Sequence, residues 1–229
     1  MSLISVFDVI GPNMVGPSSS HTAGAASVSG LARKLFAKEV VRVVFTLYGS
    51  FAKTYRGHGT DRALLGGIMG FATDDLRIRD SFAIADARGL RYEFVKNTTE
   101  TEVHPNTVDI EMESADGSRM TVRGESLGGG KIRIVRLNGV DVEFTGEYST
   151  LVVIQKDKPG VVAHITRCLS EASANIAFMR LLREEKGARA YTIVESDEAI
   201  PEDAVRWIRV NPNVEDLMLI QVQEVSNGL

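Results

Sequence analysis

The segment Thr150–Ile176 reads TLVVIQKDKPGVVAHITRCLSEASANI. Its first part, TLVVIQ, has the apolar and β-branched composition of a buried strand. The strand ends in the loop KDKPG, Lys156 to Gly160, where Pro-Gly marks a turn. VVAHITRCLSEAS then reads as a helix, and ANI, Ala174 to Ile176, opens the next strand.

Further along, NIAFMRLLREEKG and ARAYTIVES read as two strands joined near Gly187. PEDAVRWIRV is a helix with Pro201 at its start, and VEDLMLIQVQEV closes with a strand. The order is βαββαβ within about 80 residues, the split-βαβ, ferredoxin-like layout. The spacing therefore predicts a C-terminal domain over 147–229.

Upstream the texture differs. TAGAASVSGLARKLFA mixes alanine with apolar residues at helical spacing, so that Val28, Leu31, Leu35 and Phe36 share a face. Pro17 precedes it, and Ser18 or Ser19 is the natural N-cap. EVVRVVFTLYGS reads as a buried strand, FAKTYRGHGTDRALLGGIMG as a helix broken near Gly57 and Gly59, and DDLRIRDSFAIADARG as one amphipathic helix ending at Gly89. LRYEFVKN, TVDIEMES, RMTVRGES and KIRIVRLNG carry strand formers, with ADGS as a turn. Helices first and strands later make an α+β domain over 1–146. The boundary is expected within DVEFTGEYST.

Composition excludes several classes. The 229 residues carry a net charge of −4, which gives no basic field for nucleic acid or an anionic membrane. No apolar run approaches the roughly 20 residues of a membrane helix. The N-terminus, MSLISVFDVIG, lacks the basic and cleavage features of a signal peptide, so a cytoplasmic location is expected. Cys168 is the single cysteine. One thiol closes no intrachain disulfide and cannot by itself hold a zinc or iron–sulfur centre of the usual four-ligand kind.

The chemistry concentrates in GPSSSHTAGAAS, Gly16 to Ser27. A helix N-terminus after Gly-Pro presents free N–H groups and partial positive charge. Ser18, Ser19, Ser20 and Thr22 add hydroxyl donors for a carboxylate or phosphate, and His21 adds a group that moves a proton near neutral pH. The same stretch also reads as an ordinary serine cap with spare surface hydroxyls. Two more histidines sit in comparable loops: His58 in RGHGTDRALLGG, beside Gly59 and Thr60, and His104 in EVHPNTVDI, before Pro105 and Asn106. ESLGGGKI places Gly128 to Gly130 before a strand. His164 lies inside the C-terminal helix and reads as structural. The histidine spacing matches no metal-ligand signature. A serine hydrolase using Asp61 or Asp109 would have its residues but lacks a GxSxG elbow. Proton transfer on a substrate whose carboxylate the serines hold is the third option.

The tail resembles an ACT domain, the small amino-acid-sensing module, through KDKPG and ANI. Free N–H groups before its first helix suit a carboxylate, and Asn175 is placed to bond an amino acid. Asp157, Gly160, Asn175 and Ile176 are then the expected effector site, although Pro159-Gly160 serves equally as turn punctuation. Taken together, GPSSSHTAGA, GHGTD, HPNT and SLGGGKI, followed by that tail, resemble the beta chain of the two-subunit, iron–sulfur-dependent L-serine dehydratases over nearly all of the sequence. The resemblance implies an L-serine ammonia-lyase, active only with an alpha subunit whose cysteines bind a [4Fe–4S] cluster. It implies that His21, His58 and His104 are catalytic, with His58 favoured as base because Gly57 and Gly59 leave it room. Ser18, Ser19, Ser20, Thr22, Gly59, Thr60 and Asn106 are then substrate-binding. Self-association through the ACT domain is expected because a four-stranded ferredoxin-like sheet presents exposed edges and one uncovered face; the resemblance adds L-serine as substrate and possible effector. The N-terminal domain also resembles the substrate-binding-like domain of some phosphoglycerate dehydrogenases. That keeps open a second reading, a non-catalytic, amino-acid-sensing regulatory subunit.

Overall fold

The computed structural model describes residues 14–222. The N-terminal segment read as lacking a leader lies outside the described residues, as does the end of the closing strand segment. The chain separates into two compact units, residues 1–145 and 146–229.

In the first unit a π-helical turn, Ser19–Ala23, runs into α1 (Gly24–Phe36). β1 (Arg42–Leu47), α2 (Gly49–Thr54), α3 (Thr60–Ile68), a 3-10 turn (Leu76–Asp80) and α4 (Ser81–Ala87) follow. Five strands then complete a six-stranded sheet: β2 (Arg91–Lys96), β3 (Thr107–Glu113), β4 (Arg119–Gly128), β5 (Lys131–Leu137) and β6 (Val140–Phe144). The order is β2-β1-β3-β4-β5-β6. β1 and β2 run parallel and all other neighbours are antiparallel. A parallel pair needs a long crossover, and α2, α3 and α4 supply it.

Phe45, Ile110, Val122 and Ile134 alternate onto one face of the sheet and are fully buried. α1 lies against that face, with Val28 over Gly124, where an added Cβ would come within 2.3 Å of Val28. α3 packs on α1 just as closely: a Cβ on Gly67 would sit 2.4 Å from the Ala26 carbonyl. Gly67, the second glycine of ALLGG, is thus where the two helices come together.

Two expectations change here. The amphipathic helix over DDLRIRDSFAIADARG is divided. The Asp75 carboxylate caps the tight turn by accepting from the Arg77 N–H, and Ser81 Oγ donates to the Ile78 carbonyl where α4 begins. The units divide at 145/146, within DVEFTGEYST, but the reading left out β6, which lies just before that division and pairs with β5 across an Asn138-Gly139 turn whose φ values are +49° and +86°. Asn-Gly with both residues at positive φ is the turn chemistry of a tight hairpin. Ser18, one of the two N-cap candidates, takes that role.

The second unit runs β7 (Ser149–Lys156), α5 (Val161–Glu171), β8 (Phe178–Arg183), β9 (Arg189–Ser196), α6 (Glu202–Arg209), β10 (Val214–Ile220). Its sheet order is β10-β7-β9-β8, with every neighbour antiparallel. Leu151, Val153, Val161, Ile165, Leu169, Val194, Ala204 and Ile208 form its core. ANI does not open a strand. Ser173, at φ +59°, ends the helical segment, and pairing to β9 begins only at Phe178 opposite Glu195. Asn175 is exposed in the connection.

Candidate functional site

The serine loop is shaped by what lacks a side chain. Gly16 has φ +125°, and a Cβ there would lie 2.6 Å from Thr22 Cγ2. Ser18 stands at the N-cap with its Oγ accepting from the His21 N–H at 3.1 Å. The turn that follows is π-helical, a form that concentrates at functional sites. Gly24 continues it. A Cβ on Gly24 would fall 1.9 Å from Ser126 Oγ, and its absence lets that hydroxyl reach the Ser20 carbonyl.

His21 is the centre of the cluster. Its Nδ1 lies 3.0 Å from Ser20 Oγ and 3.4 Å from Ser18 Oγ, and its Nε2 lies 2.9 Å from Ser50 Oγ. Phe51 stands edge-on to the ring at 5.3 Å. The His58 ring is tilted against it at 5.0 Å between centroids. Burial first, and the neighbouring His58 second, hold the His21 imidazole below its ordinary pKa. Both causes favour the neutral form of the ring. The two loops are tied directly: Thr22 Oγ1 donates to the His58 carbonyl at 3.0 Å. Gly59 takes φ +67° as it turns into α3, with open space where a Cβ would be.

The third loop is anchored to α2. The Ser50 and Phe51 N–H groups donate to the Pro105 carbonyl at 2.7 and 3.3 Å. A Cβ on Gly49 would come within 2.7 Å of that same oxygen. His104 Nδ1 accepts from the Asn106 N–H at 3.2 Å, and Asn106 Nδ2 donates to the Ser126 carbonyl at 3.3 Å. Among the described residues, Asn106 Oδ1 and Thr60 Oγ1 are buried side-chain oxygens with no hydrogen-bond partner. Buried polar atoms are rarely left so.

Ser18, Ser20, His21, Thr22 and His58 are thus in mutual contact. His104 and Asn106 reach the group through α2 and Ser126. Ser19 contributes its carbonyl, which accepts from the Gly24 N–H. Sequence reasoning missed Ser50 and Phe51, which stand in the first turn of α2 behind Tyr48 as N-cap. It read ESLGGG for its glycines and passed over Ser126.

The aspartates offered for a hydrolase are committed elsewhere. Asp109 accepts from Tyr48 Oη at 2.7 Å and from Arg123 at 2.6 and 2.8 Å, and Arg123 also meets Glu100 at 2.7 Å. Asp61 is buried, which pushes its carboxyl above the ordinary range against the pull of the Arg62 N–H. Both His21 nitrogens meet hydroxyls, so no Ser-His-Asp relay is built on this ring. Two cavities of about 440 and 560 Å³ lie away from the cluster, one beside Arg119, Arg123 and Arg136, the other beside Arg33, Lys34 and Arg88.

In the second unit Asp157 Oδ2 accepts from the Gly187 N–H at 2.9 Å and pairs with Arg183 at 3.4 Å. The Gly187 N–H, foremost, holds the Asp157 carboxyl below its ordinary range. Gly160, at φ +88°, caps α5 with open space around it, and Ile176 packs on the core. His164 Nε2 lies 3.0 Å from the Trp207 carbonyl oxygen. Cys168 is buried in α5, and that burial raises its thiol pKa. Among the described residues, no three His, Cys, Asp or Glu side chains gather as metal ligands. The donor set does not fit a cluster held by cysteine thiolates. No helix of the described residues is long and apolar enough to cross a membrane.

Comparison with known proteins adds the following. Residues 5–136 match the family described as "Serine dehydratase beta chain". The chain is 40% identical over 227 residues to the "Probable L-serine dehydratase, beta chain" of Bacillus subtilis (strain 168), covering 99% of this chain and 100% of that one. It is 41% identical over 202 residues to the "L-serine dehydratase, beta chain" of Peptoniphilus asaccharolyticus, covering 88% and 91%. A more distant match, 25% over 136 residues, is to the D-3-phosphoglycerate dehydrogenase of Methanocaldococcus jannaschii, covering 59% of this chain and 26% of that one.

Proposed function

This chain belongs to the serine dehydratase beta-chain family, and on that premise we propose that it is the beta subunit of a two-subunit L-serine ammonia-lyase. The reaction takes L-serine to pyruvate and ammonia. The observation that carries the proposal is the meeting of the SSSHT and GHGT loops around His21 and His58, with serine hydroxyls on both ring nitrogens of His21.

In this reading Ser18, Ser19 and Ser20 hold the substrate carboxylate, which is orientation work, while Thr22, expected from the sequence to share that role, is buried and ties the two loops through its bond to the His58 carbonyl. Gly59, Thr60 and Asn106 complete the wall, and the unpartnered Thr60 Oγ1 and Asn106 Oδ1 await polar groups of the substrate. A neutral histidine removes the α-proton. Loss of that proton and of the β-hydroxyl, released as water, gives aminoacrylate. Aminoacrylate tautomerises to the imine, which water hydrolyses to pyruvate and ammonia. Room beside Gly59 favoured His58 as base. The place of His21 between the serine hydroxyls favours it for that role, with His58 and His104 as neighbours in the site.

Because this chain's donor set does not fit a [4Fe–4S] cluster, the cluster is assigned to the partner alpha chain, where it would supply a Lewis acid. The second unit is assigned as an ACT regulatory domain on the strength of its β10-β7-β9-β8 order. Its effector site would use Asp157, Gly160, Asn175 and Ile176, and its edge strand β8 exposes Phe178 and Leu181 for self-association. A cytoplasmic location accompanies this assignment.

The test is co-expression with an alpha chain, anaerobic purification, and assay of iron and serine deamination. The isolated beta chain is expected to be colourless and inactive and the complex brown and active. Near-stoichiometric iron and sulfide in the isolated chain would overturn the assignment. The regulatory alternative is separated by loop variants: a sensor-only chain would change serine affinity or cooperativity and leave maximal turnover intact.

A further inference from the structure

We propose that Ser50 is a positioning residue for His21: its hydroxyl accepts a hydrogen bond from Nε2–H, holding the imidazole in the tautomer whose Nδ1 lone pair faces the serine loop. This rests on the reading of that loop as the substrate site.

A neutral imidazole has one donor and one acceptor nitrogen, and which is which is set by the bonds each makes. Ser18 Oγ already accepts from the His21 N–H, so its own proton is available to donate. Its possible acceptors nearby are Ser20 Oγ and His21 Nδ1, each 3.4 Å away, while Ser20 Oγ itself lies 3.0 Å from Nδ1. Two hydroxyls converge on Nδ1 and one on Nε2. An arrangement that fits these distances has Ser18 Oγ–H donating to Ser20 Oγ, Ser20 Oγ–H donating to the single Nδ1 lone pair, and Nε2–H donating to Ser50 Oγ at 2.9 Å. The opposite tautomer would put the ring proton on Nδ1, where a base needs its lone pair.

Ser50 is itself held firmly. Its N–H is bonded to the Pro105 carbonyl, and its carbonyl accepts from Thr54 Oγ1 at 2.9 Å. Phe51, the next residue, abuts the His21 ring. The α2 N-terminus thus fixes one end of the imidazole, and the other is left to the serine hydroxyls. When a carboxylate arrives, Ser18 and Ser20 turn their protons to it and Nδ1 is released as proton acceptor. Ser50 stays where it is.

The experiment uses the full-length chain labelled with 15N-histidine, read by two-bond 1H–15N correlation above the His21 titration, with His21 assigned through His21→Gln. The wild type should show His21 as the Nε2–H tautomer. Ser50→Ala should give a mixture of tautomers, and Ser50→Thr should restore the single form. In the reconstituted complex Ser50→Ala should lower kcat on the order of tenfold, the scale of one lost hydrogen bond, with KM changed less than about twofold and Thr rescuing. An Nδ1–H tautomer in the wild type, or a wild-type tautomer in Ser50→Ala, overturns the proposal. Should Ser50→Ala lose its helical circular dichroism, Ser50→Cys, which keeps the size and weakens the acceptor, is read in the same way. Full turnover in His21→Ala would instead remove the underlying site assignment and leave the tautomer result standing.

Discussion

Ser126 Oγ donates to the Ser20 carbonyl at 2.8 Å, joining two residues 106 positions apart in the chain. The bond fastens the middle of the serine loop to β4, and it exists because Gly24 has no side chain. Gly24→Ala should therefore force Ser126 aside and destabilise the first unit by about 1–3 kcal/mol, the usual cost of overpacking. Urea denaturation of the isolated chain measures it. Ser126→Gly in the same chain should recover part of the loss, since it removes the two atoms nearest the new methyl. An unchanged midpoint for Gly24→Ala would mean the loop relaxes freely.

His21→Ala and His58→Ala should each lower turnover of the complex by roughly two orders of magnitude, the scale of a general acid–base group. Ser19→Ala should mainly raise the apparent KM for serine if it binds ground and transition states alike. Iron content is measured alongside. Wild-type turnover in both histidine variants, with the cluster intact, would place the chemistry elsewhere.

The lowered pKa of His21 carries a stability consequence. The unfolded chain, with an ordinary histidine near pH 6.5, binds a proton that the folded chain refuses until lower pH. Folding stability from this group is complete above that value and falls as pH drops from about 6.5 toward the native pKa. His21→Gln should flatten that part of the pH–stability curve. A curve of identical slope in the variant would show that His21 does not contribute.

Arg123 lies under Tyr48 and between Asp109 and Glu100. Arg123→Ala leaves the half-buried Asp109 carboxylate without its cation and should cost about 3 kcal/mol, the scale for breaking such a pair. The Tyr48 phenol is pushed up to about 12, by burial first and then by its bond to Asp109. Ultraviolet titration of the wild type should find it un-ionised well above the ordinary tyrosine range. A Tyr48→Phe difference spectrum that titrates near pH 10 would contradict the network.

A fragment beginning near Tyr148 should sediment as a dimer. In the complex, Asn175→Ala should weaken any activation by L-serine without altering iron content. A fragment that remains monomeric at all workable concentrations removes the self-association premise and leaves the second unit as a docking surface for the alpha chain.

The sequence by itself determined the element order of the tail, because TLVVIQ, VVAHITRCLSEAS and ARAYTIVES each carry one period and are bounded by Pro or Gly. It also marked the SSSHT, GHGT and HPNT loops, because crowded hydroxyls and histidines beside Gly and Pro are a local signal. It did not separate the tight turn Leu76–Asp80 from α4, since that division depends on Ser81 bonding the Ile78 carbonyl. It did not find β6, whose short alternation becomes a strand only by pairing with β5. Only the tertiary structure set Ser50 and Ser126 against the serine loop. A hydroxyl 29 or 106 positions away in the chain has no local signature. The close packing of Gly24 on Ser126 and the Pro105 carbonyl bonded at the start of α2 bring those hydroxyls to their partners, and such contacts are fixed by packing across the fold.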